Sequence, residues 1–150
     1  GDGSRRTELE EMSRRMGLAE RVRFCSFCPD IAPLMALCAA NVNTSVPGEV
    51  SSLAITEGLS LGVPPVVSRC RGSELLTDGC GIVTTPGSAE STADAVMRLY
   101  SDRGLQKELS AAARLRYAEH FTACEYAQRT EAVYLHALDA NSTHRADLGS

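Results

Sequence analysis

Helix-like and strand-like segments alternate along this chain, and few folds accommodate such an order. A short apolar run followed by a helix and then another short apolar run is the pattern of a parallel sheet with helical crossovers. From Ser4 to Gly17, Leu9, Met12 and Met16 fall three and four residues apart on one helix face, and Gly17 is a natural stop. Val22–Cys25 reads as a strand. Asp30 is placed to cap a helix over Ile31–Ala40, and Asn41–Thr44 reads as the next strand. Ser51–Leu61 is helical and Gly62 ends it; Pro64–Ser68 and Gly81–Thr84 are further strands. Three helices close the chain. The first is capped by Ser88, with Ala93, Val96, Met97 and Tyr100 on its apolar face. The second covers Arg103–His120. The third starts at a Thr122-x-x-Glu125 capping box, with Phe121 and Tyr126 as a staple and Tyr126, Thr130, Val133, Tyr134 and Ala137 as its buried face. The expected fold is a Rossmann-like α/β parallel sheet of at least four strands, flanked by helices.

At 150 residues the chain makes one domain. The expected boundaries are 1–140, with a flexible polar tail over 141–150. The net charge of -4 argues against a nucleic-acid surface, which needs clustered Lys and Arg. No apolar run reaches the ~20 residues that span a bilayer. The six cysteines sit in apolar segments without a secretory leader, so a cytoplasmic location is expected. Cys25-x-x-Cys28 lacks the second pair, or the His residues at short spacing, that zinc would need, so no metal site is expected. The loop-like Gly1-Asp2-Gly3 start suggests a sheet incomplete on its amino-terminal side.

The chemistry concentrates in Thr44–Pro64, TSVPGEVSSLAITEGLSLGVP. A strand, a Pro-Gly loop and a helix follow one another, and in an open α/β sheet such a loop lies where ligands bind. The amides of Ser51, Ser52 and Leu53 at the helix start suit an anion, best a phosphate. Glu49 and Glu57 are eight residues apart, about 2.2 helical turns. Glu57 can accept hydrogen bonds from a pair of sugar hydroxyls, and Glu49 can face a reacting sugar. Two surface glutamates at helical spacing are common, so spacing alone does not decide.

The ordered series around this stretch resembles the donor site of the family-4 retaining glycosyltransferases, which have the GT-B fold. Their motif is a Glu, seven residues, a second Glu, then a Gly-x-Pro turn into a strand; here it is Glu49, Glu57 and Gly62-Val63-Pro64. RVRF at Arg21–Phe24 with Asp30, RGSELL at Arg71–Leu76, DGCGIV at Asp78–Val83 and Pro86 extend the similarity over most of 1–138. The resemblance implies that Glu57 binds the ribose hydroxyls of a nucleotide-sugar and that Glu49 is the catalytic contact to the transferred sugar. It places the diphosphate on Ser51, Ser52 and Leu53, and the base near Phe27 and Ile31. It also implies transfer with retained configuration and no cofactor beyond the donor substrate. Three departures stand out. Ser51-Ser52 replaces an aromatic-Gly pair, Gly58 replaces the usual Ala, and Pro65 replaces a usual Val. The family's phosphate-binding Arg and Lys precede this chain, and Arg69 and Arg71 read as solvated surface.

The resemblance further implies a separate amino-terminal acceptor domain facing this one, so the chain alone is expected to be inactive. Peripheral membrane association through that domain, and a homodimer of this part through the apolar face of its last helix, are compatible with it. Two other functions fit the same fold: a sugar-nucleotide epimerase, and a degenerate, non-catalytic interaction domain.

Overall fold

The computed structural model describes residues 2–45, 52–70 and 72–147, with side chains through residue 138. It comprises two compact units, Gly1–Pro33 and Leu34–Ser150. The first contains helix α1 (Arg6–Arg15), which ends before Gly17 in the left-handed region (φ 69°). Its organising side chain is Arg6. The guanidinium donates to Glu10 Oε1 at 2.8 Å, Asp2 Oδ1 at 2.6 Å, Ser26 Oγ at 3.0 Å and the Phe24 carbonyl at 3.0 Å. The expected strand Val22–Cys25 does not form. The segment has no regular structure, and the Phe24 carbonyl is bonded by an arginine instead of a strand partner. The Leu9, Met12 and Met16 face of α1 is substantially exposed.

The second unit holds the sheet. Helix α2 (Ala32–Ala36) spans the boundary between the units and is shorter than expected. The chain leaves it through i→i−3 bonds from Leu37 and Cys38 to Leu34 and Met35. Strands β1 (Asn41–Asn43), β2 (Pro65–Ser68) and β3 (Ile82–Thr84) pair in parallel in the order β1-β2-β3. Val66 stands opposite Val42 on one side and Ile82 on the other. Parallel neighbours need crossovers, supplied here by α3 (Leu53–Ser60) and α4 (Ser73–Thr77). The described residues therefore form three strands rather than at least four, within the expected parallel α/β class. Helix α4 was not foreseen: five residues are too few to show a period.

Strand β2 is buried along its whole length. Val67 packs with Ile55, Leu59, Leu76, Cys80 and Ala113 on one face; Val66 packs with Ala95, Leu99 and Leu109 on the other. Each Val, Leu or Ile among them contributes roughly 1.5–3 kcal/mol when taken out of water. Two-sided burial explains why Pro-Val-Val-Ser reads as a continuous run instead of an alternation. Helices α5 (Ala89–Ser101), α6 (Arg103–His120) and α7 (Ala123–Asp147) complete the unit. Ser88 caps α5 through the Ser91 amide at 3.1 Å, and Asp102 caps α6 through the Leu105 amide at 2.9 Å. The core face of α5 is Ala95 and Leu99 with Val96, not the expected Ala93-Val96-Met97-Tyr100; Met97 and Tyr100 are exposed. The capping contact of α7 forms between the Glu125 amide and Thr122 Oγ1 at 3.2 Å. Its expected buried face is nevertheless open, with Tyr126, Val133 and Tyr134 about two-thirds exposed or more. The helix also continues to Asp147, through the polar segment from Asn141 read as a tail.

Two glycines set the approach of α3 to the sheet. A Cβ on Gly58 would lie 2.5 Å from Asn41 Nδ2, so the helix can sit against β1 because this residue has no side chain. That accounts for glycine where an alanine is usual. Gly62 takes φ 72° to end the helix, and Ser110 Oγ holds the turn by donating to its carbonyl at 2.7 Å.

Two outcomes follow from this packing. Gly58→Ala gains about 1 kcal/mol of helix propensity but must displace the Asn41 amide, so a net destabilisation of about 1 kcal/mol is expected. In an Asn41→Ala background the same change becomes neutral or stabilising; urea denaturation of the four proteins measures the sign reversal. Cys80 is the second case. Burial pushes its thiol up to about 11, whereas Cys25, Cys38 and Cys124 are exposed. The neutral thiol is the form that the fold favours. Its contribution to stability is complete below the unfolded value near 9 and is lost as pH rises towards 11. Iodoacetamide at pH 8 should modify the exposed Cys38 and Cys124 quickly and Cys80 only on unfolding, as read by peptide mass spectrometry.

Candidate functional site

The start of α3 is built by amides from β1. Asn41 and Asn43 alternate with Val42, so they share one face of the strand. Asn41 Nδ2 donates to the Ala54 carbonyl at 2.6 Å, and Asn43 Nδ2 donates to Ser52 Oγ at 3.1 Å. Asn43 Oδ1 also accepts from the Ser45 amide at 2.9 Å. One side chain thus engages both Ser45 and Ser52. Ser52 occupies the cap position of α3 (φ −108°, ψ 113°) and is buried; its hydroxyl meets Asn43 and makes no cap bond to the helix. The first bonds of the helix run from the Ile55 and Thr56 amides to the Ser52 carbonyl. The Leu53 and Ala54 amides come ahead of them, at the positive end of the helix dipole.

Glu57 lies one turn further on. It is exposed and lines an open cleft of about 540 Å³ with Leu53, Thr56, Ser60, Tyr117 and Tyr126. Ser52, Leu53 and Glu57 therefore share a single helix. A second cavity, of about 520 Å³, lies past the carboxyl ends of β1 and β2 and is lined by the hydroxyl-bearing Thr44, Ser68, Ser88 and Thr92. Glu49 and Ser51 lie outside the described residues, as does Arg71. Arg69 is paired with Glu74 at 2.8 Å, both exposed, in keeping with a surface role.

Phe27 and Ile31 belong to the first unit. Phe27 is 83% exposed, and its amide donates to Asp2 Oδ2 at 3.3 Å. The Phe27 amide, followed by Ser26 and Arg6, holds the Asp2 carboxyl below its ordinary value. The Asp2 carboxylate thus ties the backbone of Phe27 to the start of the chain.

Asn41 and Asn43 were not anticipated as organisers of the site. The available signal was compositional. Asparagine is depleted in strands, so two on the same face of a short strand require polar partners, and the following helix start supplies them.

Residues 1–102 match the family model "Glycosyl transferases group 1". Two relatives from Rhizobium meliloti, the lipopolysaccharide core biosynthesis glycosyltransferases LpsE and LpsD, are each 30% identical to the chain. The alignments cover 73% and 74% of this chain and 33% of each relative, so the chain spans about a third of their length. Among solved structures, Anabaena HepE in complex with UDP superposes with a TM-score of 0.79 at 27% identity, covering 85% of this chain and 36% of that one. A glycosyltransferase from Rickettsia africae shares the fold, with a TM-score of 0.84 at 20% identity over 92% of this chain and 38% of its own. With a parallel α/β sheet of GT-B type and a family match over two-thirds of its length, the chain belongs to the group 1 glycosyltransferases.

Proposed function

We propose that this chain is the donor-binding domain of a family-4 glycosyltransferase that transfers a sugar from a nucleotide-sugar with retention of configuration. The observation that carries this reading is Glu57, an exposed carboxylate lining an open cleft on the helix that follows β1. Its two oxygens suit the paired hydroxyls of a ribose. Ser52 and Leu53, with Ser51, present amides to the diphosphate at the helix start. Glu49 contacts the transferred sugar, and Phe27 and Ile31 receive the base. The presence of UDP in HepE, the neighbour at 27% identity, supports a uridine nucleotide as the first candidate.

The chemistry assigned to this domain is positioning and charge stabilisation. Amides and dipole hold the diphosphate as negative charge grows on the leaving group, and Glu57 fixes the ribose so that the anomeric carbon is aligned. Transfer itself needs an acceptor site on a second domain, consistent with relatives about three times as long. The scattered cysteines, set in apolar segments, suit a reducing compartment, and hence a cytoplasmic enzyme. No described helix is long and apolar enough to cross a membrane.

Ligand-observed NMR with UDP, GDP, ADP and their sugar conjugates tests the reading. Weak binding selective for one base is expected, weakened at least tenfold, about 1.4 kcal/mol, by Glu57→Ala. Asn43→Ala should weaken the same nucleotide through loss of order at the helix start, with a smaller effect on the free nucleoside, which lacks the diphosphate. Equal affinity of wild type and Glu57→Ala for every nucleotide, in this chain and in a version carrying the second domain, would overturn the assignment.

A further inference from the structure

A cavity of about 450 Å³ opens at the amino-terminal end of β2, lined by the turn Leu61–Pro64 and by Gln106, Lys107, Ser110 and Arg114 of α6. None of its lining residues is acidic. Among the described residues neither Lys107 nor Arg114 makes an ion pair, although the chain as a whole is negative. Arg114 is also seated: its Nε, Cγ and Cζ occupy the space that a Cβ on Gly62 would fill. Ser110 fastens the same turn through the Gly62 carbonyl at 2.7 Å. Arg103 Nη1 donates to Gln106 Oε1 at 3.1 Å, which uses the acceptor of that amide and leaves its N–H donors for the cavity. Lys107 and Arg114 are seven residues apart, about two turns, and so lie on one face of α6. The cavity therefore offers two unneutralised cations and an oriented amide donor, with no carboxylate to repel an anion.

We infer that this cavity binds a phosphate-bearing anion, a phosphomonoester or diphosphate group, at a site separate from the Glu57 cleft. The guanidinium and ammonium supply charge-assisted hydrogen bonds to the oxyanion, and the Gly62 turn holds Arg114 so that little side-chain entropy is lost on binding. The same group reaches the cavity either free in solution or on a lipid headgroup.

Inorganic pyrophosphate titrated into ¹⁵N-labelled chain tests this. Saturable shifts are expected at Gly62, Lys107 and Arg114, with affinity reduced at least tenfold in Lys107→Gln/Arg114→Gln and unchanged in Asn43→Ala. The Asn43→Ala control, which disturbs the helix start where the donor diphosphate is proposed to sit, separates this site from the proposed donor site. Arg114 packs on a core turn, so Lys107→Gln alone, an exposed change, provides the fallback and should weaken binding roughly tenfold or more, on the scale of one hydrogen bond to a charged group. Co-sedimentation with phosphatidic acid vesicles, lost in Lys107→Gln, would identify a lipid-borne phosphate; saturation by pyrophosphate without vesicle binding would identify a free one. Shifts that do not saturate, or that sodium chloride reproduces at equal ionic strength, together with no vesicle binding, overturn the inference.

Discussion

The position of α3 depends on hydrogen bonds from two asparagine amides. Most helices dock on a sheet through apolar side chains. Here, beside the apolar packing of Ile55 and Leu59 on Val67, β1 turns Asn41 and Asn43 towards the helix and bonds the Ala54 carbonyl and the Ser52 hydroxyl. Such bonds are directional, so they set where the helix begins as well as how closely it packs. Gly58 completes the arrangement by leaving room for the Asn41 side chain. The placement of Glu57 and of the leading amides follows from this contact. An apolar interface could slide by a fraction of a turn; a slide here would break both asparagine bonds.

Much of this was legible in the sequence, and the legible parts share a cause. Elements whose signal is local came through: the caps at Ser88 and Thr122, the stop at Gly62, the span of α6 and the strand that follows the Gly-x-Pro turn. Each depends on a side chain acting on its own backbone or on a run buried from both sides. Failures occurred where a distant partner decides. Val22–Cys25 has the composition of a strand, but Arg6 takes the carbonyl of Phe24. The apolar stripe of α7 has the period of a core helix, but Tyr126, Val133 and Tyr134 stand in the open. On α5 the period was right and its phase wrong. Alanine and leucine at 95 and 99 face the sheet, while the bulkier Met97 and Tyr100 do not. Hydrophobic periodicity reports that a face exists, and only the neighbouring elements say which one is covered.

The site divides along the same line. Ser52, Leu53 and Glu57 could be grouped as candidates from the sequence because one helix and its cap carry them. Phe27 and Ile31 sit in a different unit, and the asparagines that organise the helix start belong to a strand with no motif of its own. Family resemblance suggested roles for the candidate ligand contacts. It was silent on those that hold them, because supporting contacts can be rebuilt differently in each relative while the ligand contacts persist.

The two-sided burial of β2 has a consequence for how this domain can change over time. Val66 and Val67 are covalent neighbours, yet each belongs to a separate packing cluster. A change at one is felt by Ala95, Leu99 and Leu109, and at the other by Leu59, Leu76 and Ala113. Adjacent positions in the chain are thus nearly independent in energy, while residues tens of positions apart must vary together. The helix layer carrying Glu57 shares its cluster with Val67 alone of the pair. The opposite layer can therefore drift in sequence with little penalty at the face that carries Glu57.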